Sequence, residues 1–462
     1  MVVNDLLVAG MFVTFIVFLL TGFPIAFVLG GVAVLFTGIG YLADMYFGAA
    51  TGLDFSTLGL VVPRVYKLMS NWVLVAVPMF IFMGLMLDRS KIAEQMMDSM
   101  QELFGKVRGG LAIVVCIIGI VLAASTGIIG ASVVLLGTIS IPAMLKQGYS
   151  KPLALGTVCA SGTLGILIPP SIMLIVMADQ LGLSVGDLFM GAVIPGCLLG
   201  GLYIVFLLFV GLYFPKSFPL AQDRRPLHLG VILNVIKTLM APMLLVVMVL
   251  GSIFAGITTA TEASGIGALG ATLLAWKNRG LSFGMIKEVT LATFKMTGFI
   301  FAIFVGATYF ALVLRFLGGD EVIASALTSL PLGPYGLLAL IIAFVFLLGF
   351  FLDWIEITLI ILPLITPVIS QIGFGIDGYG TVENPVLVWF AICMAITLQT
   401  SFLTPPVGFA IFFVQGIAPE GVVLMDTYKG VVPFVILQLI GLAIVIIWPQ
   451  IVIWLPAMAY GN

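Results

Sequence analysis

The sequence predicts an all-α polytopic membrane protein. It reads as two inverted repeats, with about ten transmembrane helices plus two re-entrant hairpins. Three observations predict this. Of 462 residues, 62% are hydrophobic and 8% charged, with a mean hydropathy of +1.30, whereas soluble domains carry about 25% charged residues. Apolar runs of ~15–25 residues recur along the chain, the length a helix needs to cross a bilayer. Third, one pattern occurs twice. Ser161-Gly-Thr-Leu-Gly-Ile-Leu-Ile-Pro-Pro-Ser171 and Gln399-Thr-Ser-Phe-Leu-Thr-Pro-Pro-Val-Gly408 each interrupt an apolar segment with small and hydroxylated residues and a Pro-Pro pair. Proline lacks a backbone N–H and clashes with the preceding turn, so no helix passes either site intact. Unwound backbone at membrane depth persists only where protein or a water-filled cavity covers it.

In chain order, residues 5–21 and 24–40 form two helices split at Gly22-Phe-Pro24. Without a basic leader they read as mature spans, not a signal peptide. Residues 54–70 carry Arg64 and Lys67 among apolar residues, as an interfacial arm does, and a span covers 72–88. Residues 90–105 are amphipathic and charged, hence also interfacial. Two short apolar segments with basic outer flanks enclose Ser125-Thr126-Gly127, so 109–148 reads as a re-entrant hairpin with its tip there. A broken helix (152–180) and a span (188–213) follow. The polar stretch 214–230 is a cytoplasmic linker between a first repeat, 1–213, and a second, 231–462.

The second repeat runs in the same order. Helices 235–257 and 262–276 precede an arm, 280–294, and a span, 297–316. A hairpin, 334–374, has its tip near Asp353-Trp-Ile-Glu356. A broken helix (386–415) and a span (430–455) complete it. Ile141-Pro142 through Tyr149 matches Thr366-Pro367 through Phe374, and Asp187 through Pro195 matches Asp426 through Pro433. Five crossings and one hairpin per half turn the second half upside down. With the linker in the cytoplasm, all of the 18 Lys and Arg except Arg64, Lys67 and Arg315 fall inside, a strong positive-inside bias. Both termini then lie outside. The first hairpin enters from the cytoplasm and the second from outside.

A hairpin tip facing a helix break can enclose a small polar space. Carbonyls and Ser/Thr hydroxyls offer oxygens to an alkali cation, and helix N-termini favour an anion. The first candidate cation (Na+) site is Ser125, Thr126 and Gly127 with Ser161, Gly162, Thr163 and Gly165. Its inverted twin is the tip from Asp353 to Thr358, with Asp353 and Glu356, facing Gln399, Thr400, Ser401 and Thr404. The candidate substrate contacts are Ser125, Thr163, Pro170, Gln399, Thr404 and Pro406. The bland alternative is that these hydroxyls and glycines only satisfy backbone and allow close packing. Asp353 and Glu356 could bind a cation or proton, or pair with a substrate amine. Glu262 reads more simply as an acid at a helix N-terminus, after capping hydroxyls at Thr258 to Thr261. Cys116, Cys159, Cys197 and Cys393 read as small apolar fillers. His228 is the single histidine, which argues against a zinc site or a Ser/His dyad.

Val75-Ala-Val-Pro-Met-Phe-Ile-Phe-Met-Gly84, Ile141-Pro-Ala-Met144, Gly162 through Ser171, Thr261-Glu-Ala263 and Leu403-Thr-Pro-Pro-Val-Gly408 extend over essentially the whole chain. In them the chain resembles the large membrane subunit of TRAP (tripartite ATP-independent periplasmic) transporters, in the ion transporter superfamily. The resemblance implies an elevator-type carrier of the bacterial inner membrane, with a moving transport domain and a scaffold. It implies Na+ as coupling ion, a small four-helix membrane subunit and a periplasmic substrate-binding protein. It implies no other cofactor, no nucleic acid and no enzyme activity. Relatives resembling sialic-acid carriers have a Pro-containing second tip, whereas Phe350-Phe-Leu-Asp-Trp-Ile-Glu-Ile357 looks more like a branch labelled mannitol/chloroaromatic. Parts of that branch resemble carriers of 2-oxo or 2-hydroxy monocarboxylates. The competing expectation is a stand-alone sodium- or proton-coupled anion carrier without a binding protein. An intramembrane enzyme would need catalytic residues that the chain lacks, and two occluding hairpins suit a carrier better than a channel. The apolar faces of 5–40 and 235–276 fit either the small subunit or lipid.

Overall fold

The computed structural model describes residues 2–105, 107–126, 129–215, 217–218 and 229–460, with backbone alone at 2, 123–126, 229 and 460. His228 and most of the linker lie outside these residues. Among the described residues the chain is helical throughout and contains no strand. Nine helices there are long and apolar enough to cross a membrane, which makes this a multi-pass membrane protein.

Two compact units emerge. The smaller comprises Met1–Trp72, Phe294–Ile341 and Leu352–Gly375. The larger comprises Val73–Thr293, Ile342–Phe351 and Ile376–Asn462. Each unit draws on both sequence halves, so compactness does not follow the repeat boundary at the linker.

In the smaller unit, Val2–Leu20 and Ile25–Phe47 pair across a turn made by Gly22, at φ +82°, and Pro24. Phe12 and Phe15 stack on Phe310 with centroids 5.8 and 5.4 Å apart. After Phe47 the chain is held by Asp44, whose carboxylate accepts from the backbone of Thr51 and Gly52. The interfacial arm is a short 3-10 turn, Thr57–Leu60, and the helix Val61–Met69, with Val62, Tyr66 and Met69 exposed.

In the larger unit, Ala76–Arg89 packs along Ala260–Arg279. A close crossing joins Lys151–Thr163 to Leu424–Ile447. A Cβ on Gly156 would lie 2.0 Å from the Gly430 carbonyl oxygen, and one on Gly430 1.9 Å from that of Pro152. Small residues let these backbones touch, as membrane helices do when van der Waals contact must replace hydrophobic drive.

Three expectations change. The arm 280–294 and the span 297–316 are one continuous helix, Phe283–Phe316, because no proline interrupts them and Gly298 alone does not stop a helix. The last span, 430–455, is two helices, Leu424–Ile447 and Gln450–Tyr460, separated at Trp448-Pro449, where the proline supplies no N–H to continue the first. An additional helix, Gly319–Thr328, starts with Asp320 and Glu321 in its first turn, where acids complement the helix dipole. Of the four cysteines, Cys116, Cys159 and Cys393 are buried fillers, but Cys197 is exposed.

Candidate functional site

Both predicted breaks are present, and both lie in the larger unit. The first helix runs Lys151–Thr163, tightens into a 3-10 turn at Leu164–Ile166, unwinds, and resumes as Ile172–Leu181. The second runs Pro385–Ser401, unwinds over 402–408, and resumes as Phe409–Ile417. In both, the Pro-Pro bond is cis: Pro169-Pro170 and Pro405-Pro406. The first break is buried along its whole length, whereas Pro406 and Val407 of the second are exposed.

The arms of the first hairpin, Gly110–Thr126 and Ile129–Lys146, close on the first broken helix. A Cβ on Gly119 would stand 2.7 Å from Ser161 Cβ, and one on Gly162 would stand 2.4 Å from Val133 Cγ2. Glycine is therefore required at both contacts for the arms to reach this depth. Thr163 donates to the Ala160 carbonyl at 2.9 Å, and Ser171 to that of Ile166 at 2.5 Å. Ser161 Oγ is buried and finds no hydrogen-bond partner. Gly165 is buried in the 3-10 turn, and Pro170 is buried in the break. At the tip, Ser125 and Thr126 end the first arm as helix, with backbone alone described, and Gly127 lies outside the described residues.

At the second break the hydroxyls follow one rule. Thr400 donates to the Ile396 carbonyl at 2.7 Å, Ser401 to Leu398 at 2.8 Å and Thr404 to Thr400 at 2.8 Å. A hydroxyl that spends its hydrogen on its own helix still has oxygen lone pairs to offer. This geometry suits a cation ligand, and it equally satisfies the packing alternative. The end of the descending hairpin arm reaches this point: a Cβ on Gly349 would lie 2.2 Å from Ser401 Oγ. Gln399, read from the sequence as a substrate contact, is fully buried, and neither end of its amide has a partner. Pro406 is exposed, and its carbonyl accepts from the Tyr428 hydroxyl at 2.8 Å.

Asp353, Glu356 and Thr358 belong to the smaller unit. Asp353 caps the short helix Trp354–Glu356 by accepting from the Trp354 N–H at 2.8 Å. A π-helical turn, Ile357–Ile361, follows, a form of helix found often at functional positions. Glu356 is 3% exposed and Thr358 0%, and Glu356 Oε2 and Thr358 Oγ1 have no partner. Leaving such groups unpaired costs about 1–3 kcal/mol each. The unpartnered buried atoms of Ser161, Gln399, Glu356 and Thr358 thus fall on the two breaks and the second tip. Sequence reading ended the second tip at Thr358, but missed Tyr203 and Gln438 in the larger unit. Their signal is a lone polar side chain inside a long apolar run.

Glu262 is no part of this chemistry. It forms a capping box with Thr259, each side chain meeting the other residue's backbone N–H, so the structural reading of that acid holds.

The family described as tripartite ATP-independent periplasmic transporter, DctM component, matches residues 12–451. A C4-dicarboxylate TRAP transporter large permease from Pseudomonas aeruginosa is 31% identical over 412 residues, 88% of this chain and 92% of that protein. An ectoine/5-hydroxyectoine TRAP transporter large permease from Ruegeria pomeroyi is 28% identical over 457 residues, 98% of this chain and 100% of that protein. Among solved structures, the YdaH transporter of Alcanivorax borkumensis shares the fold, with a TM-score of 0.55 at 11% identity over 83% of this chain and 88% of that chain. The relatives are transport permeases, not enzymes, and the chain belongs to the TRAP transporter family as its DctM component, the large permease protein.

Proposed function

We propose that this permease drives sodium-coupled secondary uptake of a small organic acid across the bacterial inner membrane by an elevator mechanism, with both termini in the periplasm. The observation that carries the reading is the pair of Pro-Pro breaks, at which the Thr163, Thr400, Ser401 and Thr404 hydroxyls donate to their own helices and keep lone pairs free. Ser161 to Thr163 with the first tip form one sodium site. Thr400, Ser401 and Thr404 are the larger unit's ligands for the second, and Asp353 and Glu356, in the smaller unit, are the acids the sequence assigns to it. Na+ is the only cofactor. A periplasmic binding protein delivers the substrate and a small four-helix membrane subunit completes the scaffold, as the tripartite family name supports. The exposed apolar faces of Val2–Leu20 and Leu229–Phe254 are the surfaces that subunit would cover.

The cargo is a 2-oxo or 2-hydroxy monocarboxylate. One relative is named for a C4-dicarboxylate and another for isethionate, and these two names support an organic acid. The test is uptake into proteoliposomes holding this chain and its small subunit, under an inward sodium gradient, with and without the binding protein. Uptake that needs both sodium and binding protein is expected. Uptake with sodium alone would establish the stand-alone carrier instead. No uptake of a 2-oxo acid that the binding protein demonstrably holds would overturn the cargo.

A further inference from the structure

The short arm of the smaller unit carries a charged surface that the transport reading does not use. The helix Val61–Met69 joins two candidate spans, Ile25–Phe47 and Trp72–Arg89, so it lies at one face of the membrane. Its side chains fall in rows, because positions four and then three apart share a helix face. Val61, Val65 and Leu68 are buried or half-buried against the protein. Val62, Tyr66 and Met69 form a second row, 66–75% exposed. Arg64 and Lys67, also exposed, stand on the side of the helix away from that apolar row.

Neither Arg64 nor Lys67 forms an ion pair among the described residues. Arg315, of the helix Phe283–Phe316, adds a third positive charge. Partial burial first, and then the charge of Arg315, hold the Arg64 guanidinium below its usual value. Arg315 spends its Nε on Asp320 at 2.9 Å and keeps its terminal N–H groups to offer. These are also the three cations that the charge bias sets apart from all the others.

Like charges that outnumber their acids attract an anion. A small soluble anion would leave Val62, Tyr66 and Met69 facing water. A phospholipid answers both rows at once. Its acyl chains cover the apolar row, and its phosphate lies at headgroup depth, where Arg and Lys reach from a helix embedded in the interface. Tyr66 and the exposed Trp72 are of the residue types that settle at that depth, and phosphate matches the guanidinium fork.

We propose that Arg64, Lys67 and Arg315 bind the headgroup of an anionic phospholipid, phosphatidylglycerol being the simplest, and that this lipid holds the arm at the membrane surface. All three residues belong to the smaller unit, and the site does not depend on which ion drives transport.

The experiment uses the full chain in lipid nanodiscs, with its native cysteines replaced and Met69→Cys carrying a nitrobenzoxadiazole label in the apolar row. Lipids brominated on their acyl chains quench this label only when they adjoin the arm. Brominated phosphatidylglycerol among plain phosphatidylcholine is expected to quench more strongly, mole for mole, than brominated phosphatidylcholine among plain phosphatidylglycerol. A basic residue at a membrane surface is worth about fivefold in binding. Arg64→Gln, Lys67→Gln and Arg315→Gln should each lower the preference by about that factor, and Arg64→Gln with Lys67→Gln should remove most of it. Arg64→Lys should keep most of it, and about 0.5 M NaCl should weaken it. Lys67→Gln, at an exposed side chain without an ion pair, should leave the melting temperature unchanged and so reads the site free of any folding defect. Equal quenching by the two lipids in the wild type, or a preference retained in the double variant, overturns the anionic-lipid site. A label that neither lipid quenches overturns the placement at the membrane surface and makes the cationic row a dock for an acidic protein. Inorganic phosphate that removes the preference, where NaCl of the same ionic strength does not, makes this a site for a free anion and overturns the lipid.

Discussion

At the scale of single residues, the tightest constraint is the crossing of Gly156 over Gly430. The opposing atoms at both glycines are carbonyl oxygens of the facing backbone, which cannot swing aside as a side chain would. Gly156→Val should therefore cost well over the ~1–3 kcal/mol of ordinary overpacking. The expected result is loss of the monodisperse, folded peak in detergent. Gly201→Ala, with nothing within 4 Å of its Cβ, should leave that peak and the melting temperature unchanged. Asp54, on the loop before the interfacial arm, makes a prediction about pH. The Ser56 hydroxyl and then the Thr57 N–H hold its carboxyl below the usual range, each at 2.7 Å. A lowered folded-state pKa stabilises above the unfolded value, about 3.9, and is lost as pH falls through the folded value. Protection of the amides of residues 57–60, taken relative to their intrinsic exchange rate, should thus be independent of this group between about pH 5 and 8 and fall below about pH 4. Asp54→Asn should show the lower protection at every pH.

Helices were legible where their punctuation is chemical. Gly22 and Pro24, the Pro-Pro pairs and the Thr259–Glu262 box each sit where the sequence marks them, because a missing N–H, a positive φ or a capping hydroxyl acts locally. Thr259→Ala removes the side chain that accepts from the Glu262 N–H, and should cost about 1 kcal/mol, read as a lower melting temperature, with Thr259→Ser restoring it. Elements whose ends lack such marks were misplaced. The joining of 280–294 to 297–316 depends on uninterrupted helix propensity and not on any signal residue. The same holds within the candidate sites. Ser161, Thr400 and Ser401 were visible as hydroxyls beside a break. Tyr203 and Gln438 lie far from any break in sequence, and only packing brings them to Gln399. Glu356 was visible as an acid in an apolar stretch, but the π-helical turn that follows it, Ile357–Ile361, is a property of the backbone. Glu356→Gln keeps the volume and removes the charge, and in the uptake assay should weaken sodium dependence with little change in melting temperature.

Over the whole molecule, topology is the testable quantity. The charge bias places Lys67 outside and Lys277 inside. Single cysteines at these positions, in a chain whose native cysteines are replaced, should react with a membrane-impermeant maleimide in intact cells only at 67. Cysteine at 277 should react only after permeabilisation. The reverse pattern would invert the assignment of every span. The larger unit also gathers residues from both sequence halves, and at the Gly156–Gly430 crossing the backbones of the two halves touch. That crossing has a consequence in genetic terms. Every first- or second-base change in a glycine codon either installs a side chain or stops translation. At codons 156 and 430, natural variation should therefore be confined to the silent third base, while the neighbouring apolar codons drift freely among Leu, Ile, Val and Ala.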